Sequence, residues 1–382
     1  MALYVGEKRV VHPIGRKRRT ISAFLEETGY RFRSINASSA NPIKSYVGVL
    51  DYSDGALIER PSHMFSYCSS LEEIPLLDSR KWWTFNAAFT GCAKLKTIPA
   101  LDTSSAQGFY QAFYNCSSLV SLPALDTSKV TDFTQAFYNC SSLTSIGGLD
   151  TSKATTLYYA FSGCGSLVTL PKMDTSKVTN FTGAFIGCSK LEDLSWLDLS
   201  SATNLSYMCH SCLSLKKFPT EIDCTNVTSI DSIFARSQLE TLPTFKNTSH
   251  LKSFFCVYQL EKSPATSLPW CDTSNGTNFN SFLRTLTNVT EVPAYDMSKG
   301  TNFSLCFYGL YNVTAIHAFG FKASFSIDSC TKMDETALME VLSNLGTLDT
   351  GKTATLTLGS TLLAKLTDDD KKIATDKGWT LA

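Results

Sequence analysis

Apolar positions recur along this chain with a constant period of 24 residues. The most regular of them is a leucine column, at Leu71, Leu95, Leu119, Leu143, Leu167, Leu191, Leu215 and Leu239. Aspartates keep the same step, at Asp78, Asp102, Asp126, Asp150, Asp174 and Asp198. A period in the twenties that is led by leucine predicts a leucine-rich-repeat solenoid, because one unit cannot bury its apolar face alone and must stack on the next.

One unit, residues 119–142, predicts the elements of a coil. Leucines 119, 122 and 125 indicate a short strand and the apolar turn after it, and the D-T-S triplet that follows has the side chains of a turn or helix N-cap. A short helix is then indicated by apolar residues spaced i, i+3 and i+7, namely Val130, Phe133 and Phe137. The predicted fold is an α/β solenoid of about 11 coils with 24-residue units, short parallel strands and short helices.

Both ends of the chain depart from the repeat. The predicted organisation is an N-terminal cap or attachment segment at 1–61, the solenoid at 62–320 and an α/β capping segment at 321–382. In the first segment, ALYVGEKRVV indicates a strand pair, while ISAFLEETGYRF fits either a helix or a strand. An end segment of this kind would cover the exposed apolar face of the last coil.

The final segment carries clear helix signals. One helix is predicted to start at the N-cap Asp334 and to stop at Gly346, and a second to run from Thr367 to Gly378. Strands are predicted in TATLTLG, between the helices, and in WTLA at the end.

Cysteine is a repeat residue as well. Seven of the 13 cysteines are 24 residues apart, at Cys68, Cys92, Cys116, Cys140, Cys164, Cys188 and Cys212. In a parallel stack these side chains point the same way and the total is odd, so we expect a column of reduced, structural thiols at a tight inward corner, with disulfides or a metal site as the alternative. The C-x-x-C at 209–212 is interpreted in the same way, because Cys212 belongs to the cysteine column and Cys209 to the phenylalanine column.

Composition excludes several classes of function. Lys plus Arg and Asp plus Glu both number 34, so no basic excess indicates a nucleic-acid binder. No apolar run has membrane-spanning length, so no membrane insertion is expected, and the first 20 residues lack the apolar core of a secretory signal. The basic run GRKRRT at 15–20 suggests nuclear import or phosphate binding less than it suggests a solvated loop or docking patch.

No catalytic constellation is evident. The five histidines are scattered, and no phosphate-binding glycine motif or nucleophile elbow occurs, so we expect neither enzymatic activity, nor a cofactor, nor a metal. The aspartate column could suggest calcium, but one carboxylate per unit beside Thr and Ser is more typical of a turn cap.

Candidate binding residues lie where the repeat varies. One variable column follows the leucine column and contains Glu72, Lys96, Val120, Thr144, Val168, Glu192, Lys216 and Glu240. Tyrosines gather on other variable columns, at Tyr110, Tyr114, Tyr138, Tyr158 and Tyr159. Exposed tyrosine clusters are typical of sugar- or protein-recognition surfaces, and ordinary packing between coil edges is the alternative.

The unit AFYNCSSLVSLPALDTSKVTDFTQ resembles BspA-like leucine-rich repeats of bacterial surface proteins and of phages. The C-terminal TLTLGSTLLAKLTDDDKKIATDKGWTLA is similar to a tail segment of phage structural proteins, and LYVGEKRV to openings of phage-encoded proteins. The resemblance implies adhesion or host recognition without catalysis. We therefore expect a virion protein of a phage tail, fibre or head surface that contacts virion proteins or a host protein or glycan, with homo-oligomerisation left open. The alternative is a bacterial cell-surface adhesin.

Overall fold

The computed structural model describes residues 2–5, 8–11, 62–74, 79–80 and 82–382. These residues form two compact units, Met1–Met173 (unit 1) and Asp174–Ala382 (unit 2). The basic run at 15–20 and the ISAFLEETGYRF segment lie outside the described residues, as does the aspartate at 78. Within the described ranges, no helix combines the length and the apolar character that a bilayer crossing requires.

Unit 1 begins with the predicted strand pair, in which β1 (Ala2–Val5) runs antiparallel to β2 (Lys8–Val11). The coils that follow bring the short strands β3 (Ser121–Leu122) and β4 (Ser145–Ile146) side by side in parallel. Isolated bridges join neighbouring coils along two further columns, as in Leu125 with Leu149 and Asp132 with Thr156. Each coil therefore contacts the next along three columns of backbone.

The segment predicted as a short helix is a run of turns in the described coils. Within residues 133–140, the N–H of Gln135 donates to the carbonyl of Tyr158 on the next coil at 2.8 Å, whereas the N–H of Ala136 donates to the carbonyl of Phe133 at 3.0 Å. Alternate N–H groups thus bond between coils and within the coil. A helix requires every N–H to donate to the carbonyl four residues back along the same chain. Here hydrogen bonds to the next coil replace half of those bonds, so no helix forms.

Two residues in almost every coil adopt positive φ, four positions apart, and this also excludes a helix there. In the coil of Gln111 these are Gln111 itself at 53° and Asn115 at 58°, and in the next coil Gln135 at 53° and Asn139 at 56°. The second position is mostly glycine or asparagine, the residues that tolerate the left-handed region at least cost. It includes Gly91, Asn115, Asn139, Gly163, Gly187 and Gly309.

The core of each unit is built from stacked columns of identical side chains. Phe89 and Phe113 lie with ring centroids 5.2 Å apart and planes 5° apart, and in unit 2 Phe279 and Phe303 lie 5.5 Å and 4° apart. The leucine column is buried throughout the described coils. Burial of these columns is what holds one coil on the next.

Unit 2 continues the repeat with its own strand pairs. β5 (Glu221–Asp223) pairs in parallel with β6 (Thr244–Lys246), and β7 (Glu291–Val292) with β8 (Ala315–Ile316). The predicted fold class is confirmed: the chain forms a solenoid of about 11 turns with 24-residue spacing and few helices. In the described residues the helices all lie beyond residue 334.

The end of unit 2 is a small α/β arrangement. Its parallel sheet has the order β11-β10-β9, from β9 (Phe325–Ser326), β10 (Ala354–Thr357) and β11 (Trp379–Leu381). Its helices are α1 (Glu335–Asn344), α2 (Gly359–Leu363) and α3 (Asp368–Thr375). The predicted helices and both strands are confirmed, whereas the short helix α2 was not predicted.

The predicted caps of these helices are also present. The Asp334 carboxylate accepts from the N–H of Ala337 at 2.8 Å, and Thr367 forms a capping box with Asp370. At the other end of α1, the helix stops at Asn344, two residues before the predicted Gly346. The division into 1–61, 62–320 and 321–382 stays a prediction.

Candidate functional site

The outward side of the turn segments in unit 1 carries the candidate tyrosines. Ala112 and Phe113 of one such segment are fully buried, while the residues on either side of this pair reach solvent. We call this surface the turn face, and it consists of residues 110–111, 114–115, 134–135, 138–139 and 158–159. Because each coil repeats the last, residues 24 apart stand next to one another on this face.

Four of the five predicted tyrosines meet in one cluster. The rings of Tyr114 and Tyr138 stack with centroids 4.9 Å and planes 8° apart. Tyr159 lies 6.4 Å from Tyr138 and forms an edge contact of 4.7 Å with Tyr158. Tyr110 is 40% exposed and has no place among the ring contacts found in the described residues. The cluster is therefore a row of rings that crosses three coils.

Side-chain amides on neighbouring coils hydrogen-bond to each other beside the tyrosines, and we call these pairs amide rungs. The amide nitrogen of Gln111 donates to the amide oxygen of Gln135 at 2.7 Å, and that of Asn139 to the oxygen of Asn115 at 3.1 Å. Sequence reasoning missed these rungs, although the recurrence of Gln and of Asn at 24-residue intervals was a readable signal. The turn face therefore offers phenol and amide groups together.

Formal charge is absent from the turn face of unit 1. None of its positions is Asp, Glu, Lys or Arg. The nearby Asp132 turns its carboxylate to the backbone, where it accepts from the N–H of Thr134 at 2.8 Å.

The matching columns of unit 2 are charged. They contain Asp231, Arg236 and Arg284, together with His210. The Arg284 guanidinium carbon lies 5.6 Å from the centroid of the Tyr308 ring. Burial raises the pKa of Asp231, and it lowers the pKa of His210, to which nearby Arg236 adds. These columns therefore accept charged residues without loss of the repeat.

The variable column beside the leucines is solvent-exposed throughout, as the sequence predicted. Glu72 and Lys96 form an exposed ion pair of 2.9 Å, whereas Val120 and Val168 are 46% and 43% exposed. The members share no chemistry along the stack, so this column is a weaker candidate than the turn face.

The cysteines of the repeat are buried. The Cys140 thiol donates to the carbonyl of Phe113 at 3.1 Å, and the same contact recurs with a separation of 27 residues in neighbouring coils. Burial raises the pKa of the Cys164 thiol to about 12. Each of these thiols therefore bonds one coil to the one before it. Their role as a structural ladder stays a proposal.

The C-x-x-C pair lies in this interior as well. Burial and the neighbouring Cys209 thiol raise the pKa of Cys212, whose thiol donates to the carbonyl of Phe185 at 3.0 Å. Among the residues that the structure describes, no group of three or more His, Cys, Asp and Glu side chains could hold a metal ion.

The carboxylates of the aspartate column accept hydrogen bonds within the turns that follow them. The Asp126 carboxylate accepts from the N–H and the hydroxyl of Ser128 at 3.0 and 2.7 Å, and these bonds lower its pKa. The same arrangement holds at Asp102 and Asp174. The predicted turn chemistry of the D-T-S triplet is therefore present, but it caps a turn and not a helix.

The class of solenoid follows from these columns. Buried leucines and parallel short strands at 24-residue spacing define a leucine-rich-repeat solenoid. Residues 55–146 and 110–240 match the family model described as BspA type leucine rich repeat region, in six copies. The repeats over this range are therefore similar to BspA-type leucine-rich repeats, and leucine-rich-repeat solenoids are typically non-enzymatic binding proteins.

Solved structures resemble the chain at low identity. A leucine-rich repeat protein from Bacteroides ovatus is 18% identical with a TM-score of 0.28, and the match covers 67% of this chain and 74% of that one. A plant peptide hormone receptor, RGFR1 in complex with RGF2, is 12% identical with a TM-score of 0.20, covering 83% and 68%. A TLR13–ssRNA13 complex is 15% identical with a TM-score of 0.20, covering 80% and 52%. Likeness at this level says nothing about a shared ligand.

No curated protein matches the chain.

Proposed function

We propose that this chain is a non-enzymatic binding protein of a phage particle and that it contacts a host or virion partner through the turn face of unit 1. The observation that carries the proposal is the row of Tyr114, Tyr138 and Tyr159, held ring to ring across three coils. Tyr114, Tyr138 and Tyr159 are half-buried, so part of each ring reaches solvent and is open to a partner. Tyrosine is enriched at contact surfaces because its ring gives area and its hydroxyl gives a hydrogen bond.

The row is also prepared for binding before a partner arrives. A stacked ring has already lost most of its rotamer freedom, so less entropy is lost on association than for a free side chain. The coil spacing and the inward Ala–Phe pairs fix the positions from which these rings project. A preformed surface of this kind suits recognition at the outside of a particle or cell.

A binding measurement on cells tests the proposal. Fluorescently labelled protein is added to a panel of gut and oral bacterial isolates, and binding is measured by flow cytometry. Tyr114→Ala with Tyr138→Ala should weaken binding about tenfold or more, as the loss of a central aromatic contact does. Tyr311→Ala is the matched control, because Tyr311 is 52% exposed but lies in unit 2. Equal binding by all three proteins would contradict the proposal.

A bacterial cell-surface adhesin is the second candidate, since proteins with BspA-type repeats are typically surface or extracellular proteins. The buried thiols favour the phage instead, because virion proteins fold in the reducing cytoplasm of the host. Mass spectrometry of purified virions and of bacterial envelope fractions separates the two. Recovery in virions supports the phage protein, and recovery in envelopes alone supports the adhesin.

A further inference from the structure

We propose that the ligand of the turn face is an uncharged polysaccharide whose chain lies along the stack of coils. This inference rests on the function proposed above and names the chemical class of the partner. It is carried by the combination of stacked phenols, amide rungs and missing charge on one repeating surface.

The missing charge is a property of this unit and not of the fold. In unit 2 the same columns contain Asp231, Arg236 and Arg284, so a charged side chain is compatible with the coil at these positions. The turn face of unit 1 has no such group at any of its positions. An acidic glycan or a strongly charged protein would find no partner for its charges there, and burial of an unpaired charge is costly.

The hydrogen-bonding groups match sugar hydroxyls. A sugar hydroxyl both donates and accepts, and so do a phenol and a carboxamide. The rung between Gln111 and Gln135 orients both amides, and it leaves the Gln111 oxygen and the Gln135 nitrogen without a protein partner among the described residues. An amide that is already held in place loses little entropy when a ligand hydroxyl replaces water.

The direction of the row selects a polymer. Equivalent groups stand one coil apart along the stack, and parallel strands set that step at about 5 Å. The parallel rings of Tyr114 and Tyr138 cover each other's faces at 4.9 Å, which leaves their edges, their hydroxyls and the outer faces of the row for a ligand. A chain of repeating polyol units that crosses the coils can use each of these positions in turn.

A protein partner fits the face less well. Protein interfaces are enriched in Tyr, Trp, Phe, Met and Arg, and most of the binding energy comes from a few such residues in a desolvated centre. Of these residue types the turn face contains only Tyr, and the exposed Val120 and Val168 belong to the column beside the leucines. The remaining surface of phenols, carboxamides and a threonine is polar, neutral and repetitive.

Binding to purified polysaccharides tests this inference. The probes are neutral mannan, β-glucan and galactan, with alginate and polysialic acid as acidic comparisons, all immobilised on biosensor tips. We expect binding to at least one neutral polymer and no preference for the acidic ones. Tyr138→Phe keeps the stacked ring but removes one hydroxyl, and it should weaken polymer binding about three- to tenfold, the range for one lost hydrogen bond. Binding confined to the acidic polymers, or to none of the five, would overturn the inference.

Treated cells separate this inference from the proposed function. Periodate destroys sugar diols on bacterial isolates, and proteinase K removes surface proteins. Loss of binding after periodate, with binding kept after proteinase K, supports the polysaccharide. The reverse result would overturn the ligand class and leave the turn face as the binding surface.

If Tyr114→Ala with Tyr138→Ala binds untreated cells like the native chain, the proposed function itself fails. Circular dichroism of each variant checks that the fold is kept.

Discussion

At the scale of single residues, the backbone of the turn segments decides which side chain a position accepts. Gly163 adopts φ of 78°, and a Cβ there would lie 2.2 Å from the Asn139 side-chain oxygen and 3.2 Å from its Cα. Asn139, one coil earlier in the same column, holds a positive φ of 56° with a side chain that tolerates this region. The residue type in this column is therefore determined first by the ability to adopt positive φ.

Replacement of this glycine should be costly. Gly163→Ala combines strain at positive φ with a close contact, so we expect the free energy of unfolding to fall by about 1–3 kcal/mol. Gly148→Ala is the matched control, since a Cβ at Gly148 meets nothing within 4 Å, and it should be neutral or slightly stabilising. Urea denaturation followed by circular dichroism measures both. Equal losses in the two variants would contradict this explanation.

The turn aspartates make the free energy of unfolding depend on pH in the acidic range. The Asp223 carboxylate accepts from the hydroxyl of Thr225, the side-chain amide of Asn247 and the N–H of Thr225, and these bonds lower its pKa to about 2. A folded pKa below the unfolded value of 3.8 means that this stabilisation is complete above pH 4 and is lost as the pH falls towards 2.

Asp223→Asn isolates this contribution. The variant cannot ionise at position 223, so its melting temperature should lie below that of the native chain at pH 5, with the difference shrinking as the pH falls from about 4 to 2. Thermal melts at half-unit intervals of pH follow the difference. A difference that stays constant over this range would show that the carboxylate does not titrate as described.

At the scale of elements, the segment after each D-T-S turn was the main point where sequence and structure diverged. Apolar residues at Val130, Phe133 and Phe137 fit one face of a helix, and all three are buried as that pattern requires. Periodicity reports only which side chains face inward; it does not say whether an N–H bonds along the coil or to the next coil. The Asn and Gly column just before the cysteines was the available signal against a helix.

The C-terminal helices were predicted closely because their caps are local. Asp334 and Thr367 cap the N–H groups of their own first turns, which a sequence shows directly. The C-terminus of α1 is different, since its last turn has no basic residue. Lys377 supplies the cation from beyond α3, and its ammonium donates to the carbonyls of Leu342 at 3.1 Å, Ser343 at 2.6 Å and Leu345 at 3.0 Å.

Removal of this ammonium should loosen the end of α1. Lys377→Met keeps most of the side-chain length but leaves three carbonyls without their donor, so we expect a loss of about 1–2 kcal/mol in the free energy of unfolding. The control is Lys371→Met, because Lys371 only pairs with the exposed Asp368 at 3.2 Å and such pairs contribute little. Guanidinium denaturation measures both variants. A Lys371→Met loss as large as that of Lys377→Met would refute the capping role.

At the scale of the whole molecule, the thiols follow the interior of the fold. All 13 cysteines are buried, and burial raises the pKa of repeat thiols such as those of Cys116, Cys140 and Cys164. A raised pKa means less thiolate at a given pH, so these groups should react slowly while the chain is folded. Cys256 is 7% exposed, more than any of the others.

A thiol titration makes this quantitative. At pH 8 the native chain should release little colour from Ellman's reagent, with Cys256 first, and all 13 thiols should react once guanidinium unfolds it. Cys256→Ser should remove only the early reaction. Dithiothreitol should leave the melting temperature unchanged. Fewer than 13 thiols in the unfolded, unreduced chain would mean that disulfides exist.

The sequence predicted the solenoid and the exposed columns because both depend on register alone. It placed Tyr114, Tyr138 and Tyr159 on variable columns, but it could not show that their rings stack. That contact depends on side-chain torsions and on a change of column, since Tyr159 lies in the column of Gln111 and Gln135, three positions before the column of Tyr138. The amide rungs were hidden for the same reason.

The three columns of backbone contact between coils have a consequence for inheritance. The backbone groups that join one coil to its neighbours are present in all of the other coils as well. The bridges of Asp132 with Thr156 and of Leu125 with Leu149 are examples. In-frame duplication or loss of the DNA that encodes one unit therefore lengthens or shortens the stack without a mismatch at the join. Recombination between units could then move the tyrosine row relative to either end, and lineages would vary in reach while they keep the same recognition chemistry.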